Sequence, residues 1–265
     1  MEILGYLMAL IIGISLGLIG SGGSILAVPV LAYLFSYDEK IATAYSLFIV
    51  GTAALIGGLK QYKKNNVDLK TVIIFGIPAI IGVWLIRHFI IPILPDVLFV
   101  LGDFEVTRRM GMFGLFALLM LFAAYYMIME NEKKGGTGII KYNYPLITIE
   151  GLIVGALTGF VGAGGGFLII PALVLLANLE IRKAIGTSLI IITLKSLLGF
   201  FLGDALTMKI DWYFILSFSG ITIIGIMIGV LLGKHINSEK LKKGFGYFIS
   251  LMAVFIFIME FIIKV

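Results

Sequence analysis

Gly20-Ser21-Gly22-Gly23-Ser24 lies inside GLIGSGGSILAVPVL, residues 17–31, and Gly162-Ala163-Gly164-Gly165-Gly166 lies inside GFVGAGGGFLIIPAL, residues 159–173. Each is a glycine run set in apolar sequence, with a proline (Pro29, Pro171) further on. Glycines let the backbone approach a ligand closely and present successive N–H groups as a nest. A helix starting just after such a run, at Ser24 or Gly166, leaves its first N–H groups free and carries a partial positive charge at that end. The chemistry on offer is capture of a small anion. The proline falls at or just beyond the first turn, where its missing N–H costs least. The competing reading is structural, since small residues let helices pack closely in membranes. Packing alone does not require a polar run followed by proline.

Other side chains could complete such a site. Lys195 falls about twelve residues into an apolar run, and a cation inside a membrane is expensive and by default functional. It is a candidate counter-charge for the anion; the alternatives are snorkelling to an interface or pairing with Glu150. Thr187 and Ser188, with Thr43 and Ser46 in the matching stretch, could donate hydroxyls to an oxyanion, although membrane serines also bond their own backbone. Arg87 and His88 lie near the end of an apolar run and are expected to snorkel. With two histidines, no cysteine and few carboxylates inside apolar runs, no metal, cofactor or acid–base site is expected, and no proton relay. A dinucleotide reading of GAGGGF fails, because that fingerprint needs a preceding strand and an acidic residue about 20 positions on.

The elements that must hold these residues are membrane helices. The chain has 265 residues, 60% hydrophobic and 13% charged, with a mean hydropathy of +1.13. Soluble domains carry roughly 25% charged residues. Apolar runs fall near 3–36, 41–59, 71–92, 110–129, 145–177, 184–202, 212–232 and 245–262, most of them near the ~20 residues a membrane helix needs. This predicts an all-α polytopic transmembrane bundle. A transmembrane barrel would need alternating strands, and a cleaved signal peptide would precede a soluble body. The net charge of +5 sits in short loops, where basic residues orient a membrane protein, so no nucleic-acid partner is expected.

A shift of 142 aligns residues 10–57 with 152–199 at 17 identities in 48, and places Gly20, Gly22, Gly23 and Pro29 on Gly162, Gly164, Gly165 and Pro171. A shift of 143 pairs Asp68 with Asp211 and Gly82 with Gly225, and a shift of 133 pairs Gly111 with Gly244. Each half therefore reads as a Gly-broken helical hairpin plus three spanning helices, with about ten extra residues near 93–103 in the first. A variant in which the first hairpin arm crosses fully keeps the same parity. Residues 1–130 form one repeat, 131–144 a cytoplasmic linker, and 145–265 the second repeat. Lysines crowd loop 60–70 but not its mate 203–211, and crowd 234–243 against two arginines offset by acids in 93–109. Placing 60–70, 130–143, 178–183 and 234–243 inside puts 13 of the 20 Lys and Arg in the cytoplasm. By the positive-inside rule the repeats are inverted and both termini external. Two glycine tips would then approach the midplane from opposite sides.

The glycine-then-proline stretches, with ATAYSL after the first and AIGTSL after the second, resemble the sulfite exporter TauE/SafE family of membrane permeases. The family motif falls on Gly20, Gly22, Gly23 and Pro29, and on Gly162, Gly164, Gly165 and Pro171. The first copy departs from the pattern, with Ala44-Tyr45-Ser46 where the second has Gly186-Thr187-Ser188. The resemblance implies export of sulfite, sulfoacetate or a related organosulfur anion. The expected substrate site is Gly20, Ser21, Gly22, Gly23, Ser24 and Ser46 with Gly162, Ala163, Gly164, Gly165, Gly166, Thr187, Ser188 and Lys195. Expected partners are the small anion and membrane lipid, and pairing as a homodimer is left open. An anion channel, or a membrane enzyme or assembly scaffold, are the alternative functions.

Overall fold

The computed structural model describes residues 2–20, 23–101, 104–129, 143–175, 177, 179–233 and 238–263. The linker 131–144 lies largely outside the described residues, and so do 234–237 of the expected basic loop 234–243, whose remaining residues open the last helix. The protein is an all-α bundle. Its first half comprises α1 (Glu2–Ile19), α2 (Gly23–Pro29, prolonged by a π-helical turn Val30–Leu34) and α3 (Glu39–Lys63). Then come α4 (Leu69–Leu85, prolonged by a π turn Ile86–Ile90 and by Ile91–Ile93) and α5 (Arg108–Met129). The second half comprises α6 (Tyr144–Val161), α7 (Gly166–Leu175) and α8 (Ile181–Gly199, prolonged by a π turn Phe200–Asp204 and by Ala205–Thr207). It ends with α9 (Trp212–Leu232) and α10 (Ser238–Phe257, prolonged by a π turn Ile258–Ile263). Among the described residues, seven helices are long and apolar enough to cross a membrane, and the segments Leu4–Ile19 and Gly23–Leu34 are shorter apolar helices.

Apolar sequence alone does not set where these helices begin. Asp38, Asp68 and Asp211 do, by accepting hydrogen bonds from the backbone N–H groups of Ile41, Lys70 and Phe214 in the first turns of α3, α4 and α9. Such caps satisfy donors that have no intrahelical acceptor.

Glycine sets which helices meet. Gly13 and Gly17 of α1 cross Gly225 and Gly229 of α9, both G-x-x-x-G pairs: a Cβ on Gly13 would lie 2.8 Å from Gly225 Cα, and one on Gly17 2.8 Å from Gly229 Cα. Gly155 and Gly159 of α6 press in the same way on Ala79 and Val83 of α4, at 2.6 and 2.9 Å from their Cα atoms. Lipid gives helices no hydrophobic reason to associate, so close backbone approach supplies the packing instead. The packing reading of the glycines thus holds at these positions, which the motif search passed over.

The pairing pattern is unchanged when the halves are exchanged. The α1–α9 contact corresponds to α6–α4, and α9–α3 corresponds to α4–α8. The equivalent helices α3 and α8 lie against each other and run antiparallel, Leu47 meeting Gly199, Gly51 meeting Leu197 and Gly58 meeting Ile190. The equivalent helices α5 and α10 do likewise, Gly114 meeting Phe261 while Gly246 meets Met127 and Ile128.

At the ten extra residues of the first half begins the one strand pair among the described residues: β1 (Val97–Leu101) paired antiparallel with β2 (Phe104–Thr107). Gly102-Asp103 between β-branched and aromatic runs is the sequence signal for such a hairpin. Arg108 ties it down, bonding Glu39 of α3, Asp96 and the Leu94 carbonyl at 2.7–3.0 Å.

Candidate anion-binding site

The two glycine segments are built alike. Gly20 and Gly162 end α1 and α6 with φ of +75° and +73°, a left-handed cap that a side chain would strain. Their N–H groups return to the Leu16 and Thr158 carbonyls. Gly164 and Gly165 continue the second tip at φ +58° and +68°, and the Gly165 N–H turns back to the Ala163 carbonyl. Helix α7 then starts at Gly166, as expected, and α2 at Gly23, one residue before the expected Ser24. Packing cannot explain these positive φ values; the chain reverses here. The prolines sit deeper than a first turn, as the seventh residue of α2 and the sixth of α7.

The tips converge. A Cβ on Gly164 would touch Val50 of α3 at 2.7 Å and the Ser24 side chain of the other hairpin at 3.2 Å. Ala163 and Ser24 are fully buried. Ser46 is buried one turn before Val50 on the same face of α3, and its Oγ has no hydrogen-bond partner among the described residues. Gly23 faces away, packed against the Ile12 carbonyl and Leu16 of its own hairpin. Ser21 and Gly22 lie outside the described residues.

Among the described residues, the charged side chains that reach a glycine tip reach the second. Lys195 of α8 is fully buried and donates to Thr158 Oγ1 at 2.5 Å. A Cβ on Gly165 would lie 2.8 Å from its Nζ. It neither snorkels nor pairs with Glu150: among the described residues no ion pair reaches its ammonium, and Glu150 Oε2 has no hydrogen-bond partner. At the other end of the tip, a Cβ on Gly162 would lie 2.6 Å from Arg87 Nη2. Arg87, expected to snorkel, is instead 1% exposed. Its Nη1 donates to Thr43 Oγ1 and Asp204 Oδ1, both at 3.1 Å. The repeat-equivalent positions of Thr158, Lys195 and Arg87 are Leu16, Ala53 and Val230, all apolar. Thr158 was missed in the motif reading, although the 142-residue shift exposes it as a polar residue replacing leucine.

The remaining hydroxyls have other work. Thr187 Oγ1 accepts the Asp68 N–H at 2.9 Å, and Tyr45, its equivalent in the first repeat, accepts the Asp211 N–H at 2.8 Å. Each bond fastens the capped start of a helix in one half to a helix of the other. Ser188 Oγ donates to the Ile185 carbonyl of its own helix at 2.9 Å. Gly20 rests against Ile185 on that same helix.

What the arrangement can do chemically is hold one small anion against a reversed, glycine-lined backbone between two buried cations. Among the described residues, no group of three or more His, Cys, Asp or Glu could hold a metal ion.

Comparison with known proteins agrees with a transport role. The family model for sulfite exporter TauE/SafE matches residues 5–256. A probable membrane transporter protein of Xylella fastidiosa (strain 9a5c) is 28% identical over 93% of this chain and 91% of its own length. The probable membrane transporter proteins YdhB and YunE of Bacillus subtilis are 26% and 28% identical, over 88% and 89% of this chain and 87% and 88% of their own lengths. No solved structure matches. A bundle of apolar helices with buried cations at its second glycine tip, matched over nearly its whole length, makes this a multi-pass membrane permease that belongs to the sulfite exporter TauE/SafE family.

Proposed function

We propose that this permease exports a small sulfur-containing anion, sulfite or an organosulfur anion such as sulfoacetate, bound between the two repeats at the second glycine tip. The observation that carries the reading is Lys195, a fully buried ammonium whose hydrogen-bond partner is a neutral hydroxyl. An ion taken out of water costs several kcal/mol unless it is paired, and a bound anion supplies the missing partner. Thr158 positions the ammonium, Ser24 and Ser46 add hydroxyls, and the N–H groups at the start of α7 face the same tip. Lys195 and Arg87 flank the segment Gly162–Gly165.

The repeats are inverted in this reading, with both termini external. The antiparallel packing of equivalent helices α3 and α8 supports it, as does the reversal of lysine bias between matching loops. Alternating access then consists of one repeat rocking against the other around a site near the midplane. With the cell interior negative, moving one charge through ~100 mV is worth ~2.3 kcal/mol, so an anion leaves downhill without a coupled ion.

A screen of sulfite, sulfoacetate and related sulfonates on purified protein tests this, by thermal stabilisation and by flux in proteoliposomes held at a set potential. Saturable flux driven by an interior-negative potential is expected. Flux that does not saturate at channel-like rates would reassign the protein as a channel, and no stabilisation by any of these anions would end the reading.

A further inference from the structure

The Arg87–Asp204 pair has more bonding capacity than the fold uses. Both side chains are buried, at 0% and 3% exposure. Arg87 Nη1 spends its hydrogens on Thr43 and Asp204, while Nε, Nη2 and Asp204 Oδ2 have no partner among the described residues. The Nε–Nη2 edge is the fork with which a guanidinium holds two oxygens of one anion. Leaving such donors buried and unmade costs more than a neutral group would. Nη2 lies beside Gly162, where a Cβ would fall 2.6 Å from it, so the missing side chain is what lets the guanidinium reach the tip.

The pair also sits where the helices are irregular. Arg87 lies in the π turn that prolongs α4, Asp204 in the π turn that prolongs α8, and the two turns pack together, with Gly203 against Arg87 Cβ. Single π turns inside helices occur often at functional sites. The corresponding positions in the other half are Val230 and Tyr62, so the repeat architecture does not require the charges.

We propose that Arg87 is a second anion-coordinating position of the permease: its free Nε–Nη2 edge takes two oxygens of a small oxyanion, and Asp204 is the resident carboxylate with which that anion competes. This rests on the anion-permease reading and adds to it a basis for selectivity, because a halide offers one acceptor where the fork matches two oxygens with parallel hydrogen bonds. Lys195 supplies attraction to any anion; Arg87 selects for oxygen pairs.

The test is thermal stabilisation of the full-length protein in detergent, titrated with sodium sulfite and separately with sodium chloride. Arg87→Lys keeps the charge and removes the fork, so sulfite affinity is expected to fall at least about tenfold, with the preference over chloride lost. Asp204→Asn removes the competitor, so sulfite affinity is expected to rise about threefold or more. If Asp204→Asn does not survive extraction, sulfite present throughout should rescue it and chloride should not, since only the oxyanion replaces the lost carboxylate. A wild-type response to sulfite with unchanged affinity and selectivity in Arg87→Lys, or an Asp204→Asn protein neither tightened nor rescued, overturns this inference alone. No wild-type response to sulfite overturns it together with the reading beneath it.

Discussion

Replacing Lys195 by methionine is expected to reverse the order of stability with and without anion. The ammonium is fully buried, with one neutral acceptor at 2.5 Å. Burying an ammonium costs several kcal/mol, and a hydrogen bond to a charged group returns about 1.5–3 kcal/mol. Methionine fills a similar volume without the charge, so the anion-free variant should match the wild type or exceed it by about 1–3 kcal/mol, as when buried ions are replaced by apolar groups. At a sulfite concentration one hundred times the dissociation constant, the wild type gains ~2.7 kcal/mol, and the variant should gain nothing. The two melting curves should therefore cross as sulfite is titrated. At about 2–4 °C per kcal/mol for a large domain, each half of the effect is measurable. Thr158→Val is the companion variant: it strips the ammonium of its hydroxyl, so it should weaken the anion-free protein and be stabilised by sulfite more than the wild type is. A Lys195→Met protein that melts several degrees lower without anion, yet keeps the whole sulfite increment, would show that the lysine is a structural strut and refute the reasoning.

Gly17→Leu should prevent recovery of folded protein, because its Cβ already falls 2.8 Å from Gly229 Cα, whereas Gly220→Ala, with nothing within 4 Å, should change stability by less than ~0.5 kcal/mol; detergent-stable yield by size-exclusion chromatography separates them. Thr187→Val should cost about 1 kcal/mol through the Asp68 N–H it leaves unpaired and leave sulfite affinity unchanged. Ser46→Ala should weaken sulfite binding with little loss of stability, its hydroxyl having no partner among the described residues; reversed outcomes for this pair would exchange their roles. The chain has no cysteine, so single cysteines at Lys63 and Lys209 can be probed with impermeant thiol reagents. Labelling from opposite sides is expected, and labelling of both from one side would sink the inverted arrangement.

The amino-acid sequence was enough to establish a polytopic helical membrane protein, because a bilayer tolerates so few backbone solutions that length and apolarity nearly determine the class. It also located both helix breaks at the glycine runs, since Gly20, Gly162, Gly164 and Gly165 adopt a backbone conformation that other residues resist. The correspondence of Asp68 with Asp211 could be read the same way, being a periodic feature of the chain. The partners of the polar side chains could not. Arg87 and Asp204 are 117 residues apart and Thr187 and Asp68 are 119, and hydropathy near a helix end reads an arginine in the same way whether it faces lipid headgroups or a carboxylate. Whether a hydroxyl caps a neighbouring helix, as Thr187 does, or waits unpartnered beside the glycine tip, as Ser46 does, depends on which helices cross and at what height. That is decided by close backbone contacts such as Gly13–Gly225 and Gly155–Ala79. Burial and pairing are properties of the assembled bundle, so only the tertiary structure could bring an apparently snorkelling arginine and a lone intramembrane lysine to one glycine tip.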